Sequence, residues 1–480
     1  MMDFKKISTV FKSNSLTAKF AKGGGILAVG SFAENLLRFA RNMILARILA
    51  PEVFGLMATV ISSVSVLEAL TQVGLRQSTI QNKNSSNDQF LNAVWWISSL
   101  RGVTIYLVAF FASPYISAYF GRPDAANILR IGFLVFLFYG FISPRIHILE
   151  KELQFKKWVI MMQGAGIIGV IVAIASAFVL KNVWALLLGY LTEAALRTIL
   201  SFILCPIKPT LKLDKFYTAE VMKFSRRMFG LPIIMMVYTQ IDIFIIGKIL
   251  SLKILGTYVL VKNLAEMPME FFSKIVHPVT LPVFSSMQEE KTKLNNTLIS
   301  ITRITGLFGI PLVSFFFLYG EPILNIVYGP VYSRLAIPFG ILSISAMIVI
   351  ISSLIVQMNF AIGQPNLHRT ASLVRTIIFL ILIYPATKFF GLTGTAVAGL
   401  IAVTTLIPIQ LIYARKVVNL HPSKYLQNLL PGALTSLIII VPSIVIQIFF
   451  TIEGFYSLLI GIGLCTTAWL YSIHKTLKHI

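Results

Sequence analysis

Long apolar runs alternate with short polar, mostly basic segments along the whole chain, and the period of that alternation is the length of a membrane crossing. A helix needs about 20 mostly apolar residues to cross the hydrocarbon core of a bilayer. On that ruler the sequence predicts fourteen helical spans, near 24–46, 53–80, 90–118, 126–149, 158–180, 183–205, 224–250, 254–280, 297–319, 336–361, 367–389, 392–414, 426–450 and 455–474. The expected class is therefore an all-α integral membrane protein.

Composition supports this. Of 480 residues, 56% are hydrophobic and only 12% charged, and the mean hydropathy is +0.83, which excludes a soluble globular chain. The net charge of +23 is not a nucleic-acid signature, because the basic residues flank the apolar runs; anionic membrane lipids are the expected partner. With the N-terminus inside, 27 of the 41 Lys and Arg fall in cytoplasmic segments and span ends, and only eight at the outer side. Basic residues collect on the cytoplasmic side, so an even span count with both termini cytoplasmic is expected. The N-terminal lysines Lys5, Lys6, Lys12, Lys19 and Lys22 precede a full-length span, which reads as a retained helix rather than a cleaved signal. Cys205 and Cys465 read as packing residues.

The chain also repeats itself. Ile245-Ile246-Gly247-Lys248 through Gly256-Thr257 aligns without gaps on the stretch beginning at Ile44, with Arg47 on Lys248 and Gly55 on Gly256. Pro114 to Gly121 aligns with Pro322 to Gly329, and Trp184 to Gly189 with Gly394 to Gly399. Spans 1–6 thus match spans 7–12, and since six is even the repeats are parallel. The expected organisation is an N-terminal six-helix bundle (1–207), a cytoplasmic linker (208–223), a second six-helix bundle (224–420) and two additional helices (421–480). No loop is long enough for a catalytic domain, so an enzyme is not expected and a transporter is.

The candidate chemistry lies where charge interrupts the apolar runs, because a charge in a bilayer requires a wet cavity or a partner. Glu34, Arg38 and Arg41 stand at i, i+4 and i+7 and share one face of span 1. The guanidinium forks of Arg38 and Arg41 suit phosphate oxygens. Glu68 with Gln72 in span 2 is placed to neutralise them, and Arg101 in span 3 is a weaker candidate. Lys262, Glu266, Glu270 and Lys274 follow at four-residue spacing in span 8, either as an intrahelical ladder or as a polar cavity wall with a hinge at Pro268. Asp242 in span 7 occupies the position that the repeat gives to Arg41. Glu193 and Arg197 read as a local ion pair. Gly164-Ala165-Gly166-Ile167-Ile168-Gly169 fits a dinucleotide pattern, but inside a span with no preceding strand it reads as small-residue helix packing. All six histidines map to cytoplasmic ends or loops, so no metal cluster is expected.

Arg38-Phe39-Ala40-Arg41-Asn42-Met43-Ile44-Leu45-Ala46-Arg47-Ile48-Leu49-Ala50-Pro51-Glu52-Val53-Phe54-Gly55-Leu56-Met57-Ala58, followed by Gln72-Val73-Gly74-Leu75-Arg76-Gln77-Ser78-Thr79-Ile80-Gln81, resembles the opening of the bacterial Wzx-type polysaccharide flippases. The nearest branch is the WzxC, or colanic-acid exporter-like, group of the multidrug/oligosaccharidyl-lipid/polysaccharide (MOP) exporter superfamily. The resemblance implies a V-shaped pair of bundles with a cavity lined mainly by spans 1, 2, 7 and 8. It also implies a substrate, undecaprenyl-pyrophosphate-linked oligosaccharide repeat units, moved to the outer leaflet of the cytoplasmic membrane for lipopolysaccharide O-antigen, capsule or exopolysaccharide synthesis. Membrane lipids and polysaccharide polymerase machinery are the further partners implied. No cofactor is expected, and coupling to H+ or Na+ is left open. Two rivals remain. A multidrug or cation antiporter of the same superfamily should carry carboxylates rather than arginines on span 1. A membrane glycosyltransferase or polymerase should carry catalytic carboxylates on an outer loop, where the first loop offers only Glu52.

Overall fold

A computed structural model describes residues 16–71, 74–82, 84–152, 154–227, 231–449 and 454–477. Gln72 and Val73 of the family-like stretch, and Lys5, Lys6 and Lys12, lie outside the described residues. Among the described residues every regular element is helical. The long elements are α1 (Leu16–Ile48), α2 (Pro51–Thr71), α3 (Asp88–Tyr119), α4 (Ala126–Gly132 continuing as Val135–Gly140), α5 (Phe155–Val159, Ile160–Gly164 and Ala165–Leu180) and α6 (Val183–Leu204). They are followed by α7 (Leu231–Ile249), α8 (Leu252–Ser285), α9 (Lys291–Leu318), α10 (Ala336–Ala361), α11 (Pro365–Thr404), α12 (Leu406–Val418), α13 (Leu430–Phe449) and α14 (Gly454–Leu477). Nine helices among the described residues are long and apolar enough to cross a membrane, so the chain is a multi-pass membrane protein. The charge-bearing α1 and α8 are not among the nine.

The departures from uniform spans have local causes. The stretch predicted as one span over 126–149 is broken into Ala126–Gly132, Val135–Gly140 and Ile146–Lys151. Gly132, Gly140 and Pro144 punctuate it, and each weakens helix propagation. In α5 the residues Ile160–Gly164 form one π-helical turn, a feature common at functional sites. The run from Asn366 to Val418 is divided at Gly391, whose φ of 58° and ψ of −141° only glycine adopts readily. That break falls between the spans predicted over 367–389 and 392–414.

The chain forms two compact units, divided between Gln240 and Ile241. In unit 1, α5 packs on α6 through small residues. A side-chain carbon at Gly169 would lie 2.8 Å from the Gly189 carbonyl oxygen, so the two backbones approach closely at a pair of glycines. The glycine-rich stretch 164–169 is thus interior to α5 and serves helix packing. The polar segment after α6 is tethered to the same unit. Asn92 Nδ2 donates to the Thr210 and Lys212 carbonyls at 3.1 and 2.9 Å, and Trp96 Nε1 donates to Thr210 O at 2.7 Å. It continues as an amphipathic helix, Lys215–Arg227, whose Val221 is buried against Phe90, Leu91, Val94 and Ile148. Unit 2 has its main core between α8, α9, α10 and α12, where Phe284, Leu298, Leu354, Met358 and Leu411 are buried together.

Candidate functional site

On α1, Glu34 and Arg38 pair across one helical turn, and the pair does not stand alone. Arg38 Nη2 donates to Glu34 Oε1 at 2.9 Å and Nε donates to the same oxygen at 3.1 Å. The same Nη2 donates at 2.7 Å to Glu193 Oε1 on α6, which also receives Arg197 Nη2 at 2.6 Å. Two guanidiniums and two carboxylates therefore form one chain, Glu34–Arg38–Glu193–Arg197. Gly166 of α5 makes room for it, since a side-chain carbon there would lie 3.2 Å from Glu34 Oε1 and 3.3 Å from Arg38 Nη2. The network neutralises its own charge, which is what a low-dielectric setting demands. Arg38 nonetheless keeps 31% of its side chain exposed, against 10% for Glu193. Arg41, one turn further on, donates to Asn42 Oδ1 at 3.0 and 3.2 Å.

Glu68 and Arg101 are brought together at the end of α2. Arg101 Nη2 donates to Thr71 Oγ1 at 3.2 Å and to the Glu68 carbonyl at 3.4 Å, with the Glu68 carboxylate acting on it through space.

In unit 2 the geometry is tighter. Asp242 of α7 is 2% exposed, and its Oδ2 receives Lys262 Nζ of α8 at 2.6 Å and Tyr258 OH at 2.8 Å. Its Oδ1 receives the Ile243 backbone N–H at 2.9 Å. One buried carboxylate thus accepts three hydrogen bonds, one from a cation, which is the arrangement that lets a charge persist away from water. Glu266 is half-buried one turn beyond Lys262 and feels the charges of Lys262, Asp242 and Glu270, while Glu270 is exposed.

Sequence reasoning singled out Asp242 and Lys262 separately but did not join them. The signal was available: α7 and α8 are connected by a tight turn at Leu250–Ser251, and counting back and forward from it places Asp242 opposite Tyr258 on the antiparallel neighbour. The reach of Glu193 to Arg38 had no such signal, because the two are 155 residues apart. Among the described residues no group of three or more His, Cys, Asp or Glu is placed to hold a metal ion.

Among the described residues the chain is all-helical and multi-pass, with charged side chains paired between its helices. Two solved structures show the fold. The chain is similar to the lipid II flippase MurJ in an inward closed conformation, at a TM-score of 0.78 with 15% identity over 95% of this chain and 99% of that one. It is also similar to an inward-facing multidrug resistance MATE family transporter of the MOP superfamily, at 0.66 with 14% identity over 80% and 94%. The chain belongs to the polysaccharide biosynthesis protein family Polysacc_synt_3, whose model matches residues 44–337. Among its relatives are the lipopolysaccharide biosynthesis protein WzxC of Escherichia coli, 21% identical over 400 residues covering 81% of this chain and 79% of that protein, and the succinoglycan biosynthesis transport protein ExoT of Rhizobium meliloti, 22% identical over 365 residues covering 76% and 73%.

Proposed function

We propose that this protein is a flippase that moves undecaprenyl-pyrophosphate-linked oligosaccharide repeat units from the inner to the outer leaflet of the cytoplasmic membrane by alternating access. The names of its relatives, a lipopolysaccharide biosynthesis protein and a succinoglycan transport protein, support a role in surface polysaccharide synthesis. The observation that carries the reading is the α1 face, where a partly exposed Arg38 and the neighbouring Arg41 place two guanidiniums a turn apart on one helix. Guanidinium forks recognise phosphate oxygens in a bidentate way, and a pyrophosphate is the charged part of such a lipid. An antiporter of cationic drugs has no use for that charge.

In this reading the chain catalyses no covalent step. It carries two parallel six-helix repeats, 1–207 and 224–420, joined by the 208–223 segment and followed by two additional helices over 421–480. Both termini are cytoplasmic, and the flipped repeat unit is passed to polymerase machinery at the outer leaflet. The test is reconstitution of the wild-type protein into vesicles with a lipid-linked oligosaccharide. Flipping exposes the glycan to a sugar-modifying enzyme added outside. Exposure at the rate of protein-free vesicles, together with drug-driven proton or sodium movement, would replace this reading with the antiporter.

A further inference from the structure

Unit 1 contains a cavity of about 360 Å3 that neither ion-pair network fills, within the size range of small-ligand sites of roughly 300–1,000 Å3. It is framed by the end of α2, by α3, by the broken α4, by the π-turn of α5 and by α6. Its existence follows from α4. That element stops at Gly140, and the chain turns through Pro144, so no long helix closes the space. Gly102 and Gly140 then let α3 and α4 meet backbone to backbone, where a side-chain carbon at Gly102 would lie 2.6 Å from the Phe136 carbonyl oxygen.

The wall is cationic. Arg76, Arg101 and Arg197 line it with a single carboxylate, Glu68. Arg101 spends its hydrogen bonds on two neutral oxygens, the Thr71 hydroxyl and the Glu68 carbonyl. Arg197 shares Glu193 with Arg38, and its remaining contacts, to Tyr139 OH at 3.5 Å and Met162 O at 3.4 Å, are long and to neutral oxygens. Such contacts are weak beside a charge-assisted hydrogen bond, and an oxyanion supplies several acceptors at once. A cation would be repelled by this wall, whereas an anion would be drawn to it. The cavity also lies at the end of unit 1 that carries Arg76, Pro144 and His147, the end that the charge asymmetry assigns to the cytoplasm.

We propose that this cavity is a binding site for a phosphate group, separate from the arginines of the α1 face. Two sources carry that chemistry: the headgroup of an anionic membrane phospholipid, and soluble phosphate or pyrophosphate.

The test uses the full-length protein, delipidated in neutral detergent and followed by native mass spectrometry during titration with phosphatidylglycerol, and separately with inorganic pyrophosphate. Two variants are compared with wild type. Arg101→Gln removes one guanidinium, and Ser98→Phe fills the cavity without changing its charge. The expected result is one bound molecule whose affinity falls tenfold or more in each variant. Phosphatidylglycerol binding that excess pyrophosphate fails to displace identifies the headgroup, and displacement identifies the soluble anion. Equal binding of both probes by wild type and Ser98→Phe overturns the proposal, and Ser98→Phe alone decides if Arg101→Gln does not fold. Binding is read without transport, so the site stands or falls independently of the flippase reading.

Discussion

In unit 1 the charged cluster links α1 to α6 and leaves Arg38 about a third exposed, whereas in unit 2 Asp242 is almost fully enclosed and ties α7 to α8 through Lys262 and Tyr258. Both clusters cancel charge between packed helices, but with different consequences. The Asp242 carboxylate is saturated by three donors and has little left to offer a ligand. Arg38 is neutralised by Glu34 and Glu193 and still keeps about a third of its side chain exposed. The comparison separates a clamp that holds two helices together from a face that can exchange partners.

The clamp should give the largest effect on stability. Asp242→Ala leaves Lys262 without its buried counter-ion, and breaking one side of such a pair costs about 3–5 kcal/mol. Unfolding in detergent should show it, and adding Lys262→Met to that variant should restore much of the loss. A double variant as unstable as the single one would mean that the carboxylate does more than balance the lysine.

Next comes Glu193→Gln, which takes the shared carboxylate from both Arg38 and Arg197. Hydrogen bonds to charged groups contribute roughly 1.5–3 kcal/mol, and because Arg38 is partly solvated we expect the lower end, about 1–2 kcal/mol. If the cluster in unit 1 were a clamp like that in unit 2, this loss would equal that of Asp242→Ala.

Gly169→Ala probes the packing behind the same cluster. Its new carbon would press on the Gly189 carbonyl and on the Glu193 side chain, both at 2.8 Å. Overpacking typically costs about 1–3 kcal/mol, and the accompanying displacement of Glu193 should reduce transport. Unchanged transport and stability would show that α5 and α6 can move apart freely.

The smallest effect is expected at the ion pairs outside the spans. Arg122 pairs with Glu52 and with Asp124, the latter at 2.8 Å. The hydrogen bonds from Arg122 hold the Asp124 carboxyl below its ordinary value, and the same partners raise the guanidinium, opposed by desolvation. A depressed carboxylate contributes stability above its unfolded value and loses it as pH falls through the folded one. Since Asp124 is fully exposed, Arg122→Ala should leave unfolding nearly unchanged at neutral pH and merely flatten the acid limb of the stability profile. A large loss at neutral pH would mean that this cluster carries a structural role that its exposure does not suggest.

The sequence disclosed what depends on spacing along one helix. The face Glu34–Arg38–Arg41, the pair Glu193–Arg197 and the break between 389 and 392 all follow from helical periodicity or from glycine. Contacts between helices far apart in the chain were not legible, because periodicity says which face is polar and not what it meets. Thus the four-residue spacing pairs Glu193 with Arg197 alone, while in the structure it also receives Arg38. The interruption of the stretch over 126–149 was written in Gly132, Gly140 and Pro144, yet its overall hydropathy masked it, and with it the cavity of unit 1.

The central claim is that the half-buried arginines of α1, Arg38 and Arg41, serve the cargo. The direct measurement is delivery of a lipid-linked glycan to the outer leaflet of reconstituted vesicles by wild type, Arg38→Ala and Arg41→Ala, each shown to be inserted and folded. The account predicts that flipping falls tenfold or more in one or both variants, with unfolding shifted little in Arg41→Ala and by about 1–2 kcal/mol in Arg38→Ala, which takes the guanidinium from Glu34 and Glu193. Full activity in both would contradict it and remove the pyrophosphate from the α1 face.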